Sequence, residues 1–320
     1  MKQRIKELTQ KHKNKIVAAS VIILAALFIF IVLYLFSSNR IQKKMEIEKK
    51  IDNAALQLFQ NLDIKAKAFV VYDGTEGRLI YAKNGNAQLP LASLTKVMSV
   101  LIALDLAPKD SLIEVKSNSE FLKSNNKNAL SPGQWKLVDM LSLILVSSSN
   151  IGINTIASEL SARQQFVGGD AQFIRLMNTK ARNLGLNQTF FLNASGLDIN
   201  ATLSGGYGSA IDMARLFEYA LIKAPEVISS TKFNSIVINS AEGKSNAVEN
   251  TNPDVSAIKG LVASKTGFTE LAGGNLAIAF EVNSGRRVIV VVLGSTQNDR
   301  FTDTALLTHA AIAYYSIIKS

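Results

Sequence analysis

Residues 89–96 read Leu-Pro-Leu-Ala-Ser-Leu-Thr-Lys and lead directly into an apolar run that ends at Leu106. The run has the length and composition of a buried helix, so Ser93 should lie at or near a helix N-terminus. Lys96 follows three residues later, and residues at this spacing share one face of a helix. The segment therefore predicts a serine hydroxyl and a lysine amine that point the same way.

The Ser-Xaa-Xaa-Lys pattern is a weak signal by itself, because serine often caps helices and this chain contains four further copies. These copies are Ser124/Lys127, Ser229/Lys232, Ser256/Lys259 and Ser316/Lys319. Two other segments follow Ser93 in order, Ser148-Ser149-Asn150 and Lys265-Thr266-Gly267. The first could be an ordinary turn and the second a strand end, but their order and surroundings favour catalysis over these interpretations.

A serine hydroxyl becomes a good nucleophile only when a base takes its proton. Lysine can be that base if burial or a nearby cation lowers its pKa from the usual value of about 10.4. Lys265 is the candidate for the nearby cation beside Lys96. Ser148 and Asn150 should then bridge the two lysines, passing a proton to the leaving amine and holding the substrate's amide.

The backbone can supply the remaining chemistry, which is stabilisation of the negative charge on the attacked carbonyl oxygen. The N–H groups at the start of a helix have no partner within the helix, and that of Ser93 is one of them. The N–H of Phe268, directly after Lys-Thr-Gly, is the natural second donor. The sequence therefore indicates acyl transfer with a serine nucleophile and a lysine base.

The composition excludes several other kinds of site. The chain contains no cysteine, which rules out disulfides and thiolate metal ligands. His12 and His309 are the only histidines, so few candidates exist for the histidine of a Ser-His-Asp triad, and a multi-histidine metal site is impossible. We therefore predict no metal and no cofactor, and lysine is left as the plausible base.

These motifs resemble the serine-type D-Ala-D-Ala carboxypeptidases, the low-molecular-mass penicillin-binding proteins. The resemblance covers about residues 65–318. Segments that resemble the family outside the Ser148 motif are 66–100, Asn193–Leu197, Ser209–Ala214, 264–274 and Val288–Ser295. It implies a β-lactamase/transpeptidase-like α+β fold of two lobes, an antiparallel sheet from both chain ends flanked by helices, with an all-helical insertion.

The resemblance also implies a substrate and roles for further residues. Ser93 would attack the penultimate D-Ala carbonyl of a peptidoglycan stem peptide, and β-lactams would acylate the same serine. Thr266, Gly267, Phe268, Thr269 and Arg300 would contact the substrate, with Thr266 better placed than Thr269 to bind its terminal carboxylate. For Arg300, a structural salt bridge with Asp299 or Asp303 is an equal alternative.

Some features depart from the family. Ser149 stands where the second motif usually has glycine, and the segment from Asn193 to Tyr207 lacks a histidine found in many members. Three alternatives stay open: a D,D-endopeptidase of peptidoglycan cross-links, a class A β-lactamase-like hydrolase, and a catalytically silent wall-binding protein. Against the β-lactamase, position 149 lacks the expected Asp and no convincing glutamate-bearing loop follows.

Residues 16–36 contain no charge over 21 positions, close to the roughly 20 residues that cross a bilayer. A cleaved signal peptide is the competing interpretation, but its apolar region is about 7 to 15 residues and ends in small residues. We predict an uncleaved transmembrane helix, after a basic cytoplasmic tail of residues 1–15. Many members of the family have an amphipathic anchor at the C-terminus, so in this chain the anchor would be at the opposite end.

Basic residues flank the predicted span on both sides. Net charges are +5 before it and +3 over residues 37–50, out of +10 for the whole chain. The denser N-terminal cluster favours a cytoplasmic N-terminus and an extracytoplasmic catalytic domain in the cell membrane. The remaining 270 residues are nearly neutral, which argues against nucleic acid as a partner.

The hydropathy pattern divides the rest of the chain into a juxtamembrane stalk, residues 37–64, and a catalytic domain, residues 65–320. Apolar and β-branched runs predict strands near both ends of this domain, with helices between them. These runs are Ala66–Tyr72, Arg78–Ala82, Asn275–Val282 and Arg287–Leu293. The pattern gives no indication of the oligomeric state.

Overall fold

The computed structural model describes residues 27–46, 53, 55–116, 130–282 and 285–318. The chain divides into one compact unit of residues Leu58–Ser316 and a second unit with the residues before and after it. The larger unit contains every residue that the three motifs contribute. The predicted boundary at residue 65 remains a prediction.

The larger unit is organised around antiparallel strands. They are β1 (Ala68–Asp73), β2 (Arg78–Lys83), β3 (Leu89–Pro90), β4 (Leu112–Val115), β5 (Gly133–Lys136), β6 (Phe190–Phe191), β7 (Gly206–Gly208), β8 (Ser235–Asn239), β9 (Ser245–Glu249), β10 (Leu261–Thr269), β11 (Gly273–Val282) and β12 (Arg286–Ser295). Five of them form the central sheet in the order β10-β11-β12-β1-β2. This order leaves β10, which carries Lys-Thr-Gly, at one edge.

The two ends of the domain meet in the middle of this sheet. Ala68 of β1 is opposite Leu293 of β12, and Asp73 is opposite Val288. Every residue of β1 is buried, as is the run from Val288 to Leu293, and both are rich in β-branched side chains that suit a sheet interior. The predicted antiparallel sheet from both chain ends is confirmed.

Helices occupy the middle of the sequence and the C-terminus. They are α1 (Lys96–Leu106), α2 (Leu137–Ser147), α3 (Asn150–Arg163), α4 (Asp170–Asn183), α5 (Ala210–Lys223), α6 (Pro225–Ser229) and α7 (Asp299–Ile317). Helix α5 packs on β1 and β12, whereas α3 and α4 pack on α1. The predicted antiparallel sheet with a helical insertion is confirmed, but the insertion is not all-helical as predicted. It also contains the short strands β3 to β9, which pair with one another in small separate sheets.

Helix α1 is the buried centre of the helical region. All residues from Lys96 to Ala103 are buried, as expected for a helix that is apolar on every side. A 3₁₀ turn, Ala92–Thr95, leads into α1 and contacts β10. The start of α1 therefore lies where the sheet and the helices meet.

Residues 27–46 form a helix in the smaller unit. Within the described ranges, no helix combines the length and hydropathy that a membrane span requires. Residues 16–26, the first half of the predicted span, lie outside the described residues, as do the whole predicted tail and part of the predicted stalk. The transmembrane helix therefore remains a prediction.

Candidate active site

Ser93 lies in the 3₁₀ turn that immediately precedes α1, as the sequence predicted. It is partly exposed, although its neighbours in the turn are buried. Ala92 has a φ of 48°, in the left-handed region that costs a non-glycine residue on the order of 1 kcal/mol. Hydrogen bonds from Leu91 N–H to Gly206 O (2.9 Å) and from Asn275 Nδ2 to Pro90 O (3.0 Å) hold the chain entering this turn.

Lys96 is fully buried, and its amine lies among three oxygen atoms. Nζ is 2.7 Å from Ser93 Oγ, 2.6 Å from Asn150 Oδ1 and 2.8 Å from the carbonyl oxygen of Ser195. Burial lowers the pKa of Lys96 well below its usual value, and the positive charge of Lys265 lowers it further. A neutral amine in this position can accept the Ser93 proton.

The second motif is the junction between α2 and α3. Ser148 takes a left-handed conformation, with φ 57°, and its hydroxyl accepts a hydrogen bond from Lys265 Nζ at 2.8 Å. Ser149 caps α3, because its Oγ accepts a backbone N–H from the first turn. Ser148 and Asn150 thereby contact different lysines, Lys265 and Lys96 respectively.

Lys265 is the second buried lysine, only 2% exposed on β10. Its Nζ donates to Ser148 Oγ and to the Thr266 carbonyl, both at 2.8 Å. Burial, and then the charge of Arg300, lower the pKa of Lys265 to about 7. In the described ranges neither Lys96 nor Lys265 pairs with a carboxylate, and no group of acidic or histidine side chains could hold a metal ion. The centre of the site therefore lacks a negative charge.

Gly267 allows β10 to lie directly against the nucleophile turn. A Cβ at this position would be 3.2 Å from the backbone nitrogen of Ser93. Arg300, in the first turn of α7, is buried, and its Nη1 donates to the Gly267 carbonyl at 2.7 Å. Of the described ion pairs, none joins Arg300 to Asp299 or Asp303, whose carboxylates bond to other groups. The guanidinium instead holds the backbone of the third motif.

The other predicted substrate-binding residues differ in their exposure and in their hydrogen-bond partners. Thr266 is 4% exposed, and its hydroxyl is 2.6 Å from that of Thr251. The Thr269 hydroxyl donates to Asp198 Oδ1 at 3.0 Å. Because a carboxylate only accepts hydrogen bonds, Thr269 uses its proton within the protein. Phe268 is the most exposed of these residues, at 38%.

The loop after β6 contributes a group that sequence reasoning did not assign, the Ser195 carbonyl that contacts Lys96. Asn193 Oδ1 shapes this loop by accepting the N–H groups of Ser195 (3.2 Å) and Gly196 (2.7 Å). Gly196 has φ 78°, and a Cβ there would lie 1.8 Å from the Ala92 carbonyl oxygen. The Asn-Ala-Ser-Gly sequence could have indicated a tight turn, but not the use of its carbonyl.

The structure is similar to that of penicillin-binding protein D2 from Listeria monocytogenes in its ampicillin-bound form. The TM-score is 0.62 and the identity 28%, over 78% of this chain and 98% of the Listeria chain. Fold and site together place the chain in the class of proteins with the penicillin-binding-protein/transpeptidase-like fold. The sequence profile of peptidase S11, D-alanyl-D-alanine carboxypeptidase, matches residues 54–297, and the chain belongs to that family.

Curated relatives carry two activity names. "D-alanyl-D-alanine carboxypeptidase DacF" from Bacillus subtilis is 28% identical over 259 residues, which are 78% of this chain and 63% of DacF. "D-alanyl-D-alanine endopeptidase" from Pseudomonas aeruginosa is 27% identical over 265 residues, 79% of each chain. The chain thus spans less than two thirds of DacF. The family resemblance found in the motifs is confirmed, and the two names leave both activities open.

Proposed function

We propose that this protein is a membrane-anchored serine D,D-peptidase that removes the terminal D-Ala from peptidoglycan stem peptides. The observation that carries the proposal is the fully buried Lys96 amine, 2.7 Å from the Ser93 hydroxyl. Burial and the charge of Lys265 lower the pKa of this amine, which suits it to act as a base near neutral pH. Membership of the D-alanyl-D-alanine carboxypeptidase family supports the substrate class.

In the first step Ser93 Oγ attacks the carbonyl carbon of the penultimate D-Ala while Lys96 takes the hydroxyl proton. Negative charge develops on the carbonyl oxygen, and the N–H groups of Ser93 and Phe268 stabilise it. Asn150 Oδ1 is bonded to Lys96, which leaves Nδ2 to donate to an amide carbonyl of the substrate. The result is a tetrahedral intermediate whose negatively charged oxygen accepts hydrogen bonds from two N–H groups, while Asn150 donates to a substrate amide carbonyl.

The intermediate then collapses with loss of D-Ala. The C–N bond breaks as the leaving nitrogen takes a proton from Ser148, which regains one from Lys265 across their 2.8 Å hydrogen bond. Proton exchange with solvent resets both lysines. Water next attacks the acyl carbon, Lys96 takes a proton from it, and Ser93 leaves with a proton, which regenerates the enzyme.

The direct test uses the full-length protein in detergent. It is incubated with a fluorescent penicillin, the labelled peptide is mapped by mass spectrometry, and D-Ala release from a D-Ala-D-Ala stem peptide is assayed. A lasting adduct on Ser93 together with D-Ala release supports the carboxypeptidase. Rapid turnover of the penicillin would favour a β-lactamase-like hydrolase, and no adduct at all would favour a wall-binding protein without activity.

A D,D-endopeptidase acting on cross-links is the second candidate. The observation that favours it is the relative named an endopeptidase, of which this chain covers 79%, compared with 63% of DacF. The same residues would perform the same two steps, with a longer leaving group. A Ser93 adduct without D-Ala release, combined with cleavage of cross-linked muropeptide dimers, would decide for the endopeptidase.

We also propose that residues 16–36 anchor the protein in the cell membrane, with a cytoplasmic N-terminus and an extracytoplasmic enzyme. The uncharged length of 21 residues and the denser basic cluster before it support this topology. Full-length protein should resist alkaline extraction from membranes, and protease added outside wall-stripped cells should degrade the enzyme but spare an N-terminal tag. A soluble protein, or one cleaved after the apolar run, would contradict the anchor.

The pH dependence of acylation should reveal both lysines. The rate constant for penicillin acylation should rise with pH as Lys96 loses its proton, and fall above a pH of about 7 as Lys265 loses its own. Lys265→Arg keeps a positive charge across this range but cannot give a proton to Ser148. Acylation should therefore be slower at every pH, and the fall on the alkaline side should disappear. The exposed Lys259→Arg is the matched control and should keep the wild-type profile. An alkaline fall that persists in Lys265→Arg would contradict the role of Lys265.

A further inference from the structure

Thr251 joins the second and third motifs, although it belongs to neither. It lies between β9 and β10, and its hydroxyl is 2.6 Å from that of Thr266. Its backbone N–H donates to the carbonyl of Val146 at 3.1 Å, two residues before Ser148. Thr251 is partly exposed, whereas Thr266 is 4% exposed. A residue in this position can influence the direction in which the Thr266 hydroxyl of the third motif points.

Two flanking asparagines fix the position of Thr251 without using its hydroxyl. Asn250 Nδ2 donates to two backbone carbonyls just before β8, at 2.8 and 2.9 Å. Asn252 is 1% exposed, and its Nδ2 donates to Ser264 Oγ at 2.7 Å, one residue before Lys265. The backbone should therefore stay in place when the Thr251 hydroxyl is removed.

Counting protons shows what the two hydroxyls can still do. Each hydroxyl has one proton, and one of the two protons lies in the bond between Thr251 and Thr266. The other proton has no acceptor among the described hydrogen bonds. Lys265 and Arg300 are close in sequence or in space to this pair, and no carboxylate in the described ranges pairs with Lys265. An anionic group could accept a hydrogen bond from this second hydroxyl proton, and its charge would balance the positive charge of Lys265 and Arg300.

We propose that Thr251 is a positioning residue that gives the enzyme its preference for a free terminal carboxylate. Thr251 donates to Thr266, which turns the Thr266 proton outward to the carboxylate of the substrate. Successive hydroxyl bonds polarise one another, and a charged acceptor strengthens the last bond. This inference rests on the proposed peptidase function and adds to it the residue that orients the carboxylate donor.

The test compares two substrates and two variants of the full-length protein. Thr251→Val keeps the shape and removes the hydroxyl, and Thr251→Ser keeps the hydroxyl. One stem peptide ends in D-Ala-D-Ala with a free carboxylate, and the other ends in D-alaninamide. Thr251→Val should raise KM about tenfold for the free carboxylate and change kcat less than about twofold, because one charge-assisted bond is weakened. The amide peptide should be unaffected, and Thr251→Ser should restore the wild-type KM.

Thr179→Val is the matched control, because the Thr179 hydroxyl accepts a hydrogen bond from Arg182 on exposed α4. It should behave as wild type on both peptides. Equal losses on both peptides in Thr251→Val would indicate a merely structural role and overturn the inference, as would no loss on either. If the wild type releases no D-Ala, acylation of Ser93 by penicillin and by its methyl ester replaces the two peptides. A wild type that reacts with none of them contradicts the proposed function and this inference with it.

Discussion

Ser93→Ala protein should form no covalent adduct with penicillin and should release D-Ala at least about 10⁴-fold more slowly than the wild type. The reason is that Oγ is the atom that bonds to the acyl carbon, and no other described hydroxyl contacts the Lys96 amine. The fold should persist, because Ala92 and the rest of the turn keep their backbone contacts. Fluorescent penicillin on a denaturing gel and intact mass spectrometry measure the adduct directly.

Ser256→Ala is the control for this experiment, because Ser256 belongs to one of the other Ser-Xaa-Xaa-Lys copies and is exposed. It should label at the wild-type rate. Circular dichroism of both variants should match that of the wild type, which separates loss of chemistry from loss of folding. Persistent labelling of Ser93→Ala would identify another nucleophile and end the proposed mechanism.

Lys96→Met should slow acylation by about 10²- to 10⁴-fold, the usual contribution of a general base. Methionine fills the buried space of the lysine stem but has no group that accepts the Ser93 proton. Ser93 would remain as a nucleophile, so a slow adduct should still form at high penicillin concentration. The second-order rate constant for acylation, measured from labelling reactions quenched after minutes to hours, gives the loss of rate.

Two opposite effects on stability accompany Lys96→Met. Burial lowers the pKa of Lys96 in the folded protein. Below the usual lysine pKa, the unfolded chain therefore binds the proton more tightly, which lowers the free energy of unfolding. Removing the amine removes this destabilisation. The Ser195 carbonyl and Asn150 lose a donor, which acts against folding. We therefore expect the melting temperature to move by less than about 5 °C.

Lys259→Met is the control, since Lys259 is exposed in the copy that contains Ser256. It should acylate and unfold as the wild type does. A Lys96→Met protein that acylates within about tenfold of wild type, beside an inactive Lys265→Met protein, would move the role of base to Lys265. That result would leave Ser93 as the nucleophile and change only the path of its proton.

Local pattern was enough to predict four of the five strands of the central sheet, all except β10. Runs such as Val-Val in β1 and Val-Ile-Val-Val-Val-Leu in β12 are apolar and β-branched, and strands of this composition are buried on both faces of a sheet. Local pattern also predicted that Ser93 and Lys96 face the same way, because their spacing is that of one helical turn. The bounds of these strands differ from the predicted ones by at most two residues, since pairing partners decide where a strand ends.

The three motifs meet across long stretches of chain. Lys96 contacts Asn150, 54 residues away, and Lys265 contacts Ser148, 117 residues away. Their order and the family resemblance predicted this meeting, whereas periodicity could not. Arg300 was expected to contact the substrate or an acidic neighbour. Among the described residues it forms no ion pair with Asp299 or Asp303 and donates to the Gly267 carbonyl, while its contact with the substrate stays a prediction. Which group an arginine contacts depends on how α7 packs beside β10.

The sequence by itself determined which side chains are available: a serine and a lysine one helical turn apart, a second lysine beside a glycine, and no cysteine. Tertiary structure alone decided three hydrogen bonds: from Lys96 to the Ser195 carbonyl, between the Thr251 and Thr266 hydroxyls, and from Thr269 to Asp198. Every residue carries a carbonyl and threonine is common, so no sequence pattern distinguishes the ones that are used. Burial also lowers the pKa of both lysines, and burial exists only once the sheet and the helices close around them.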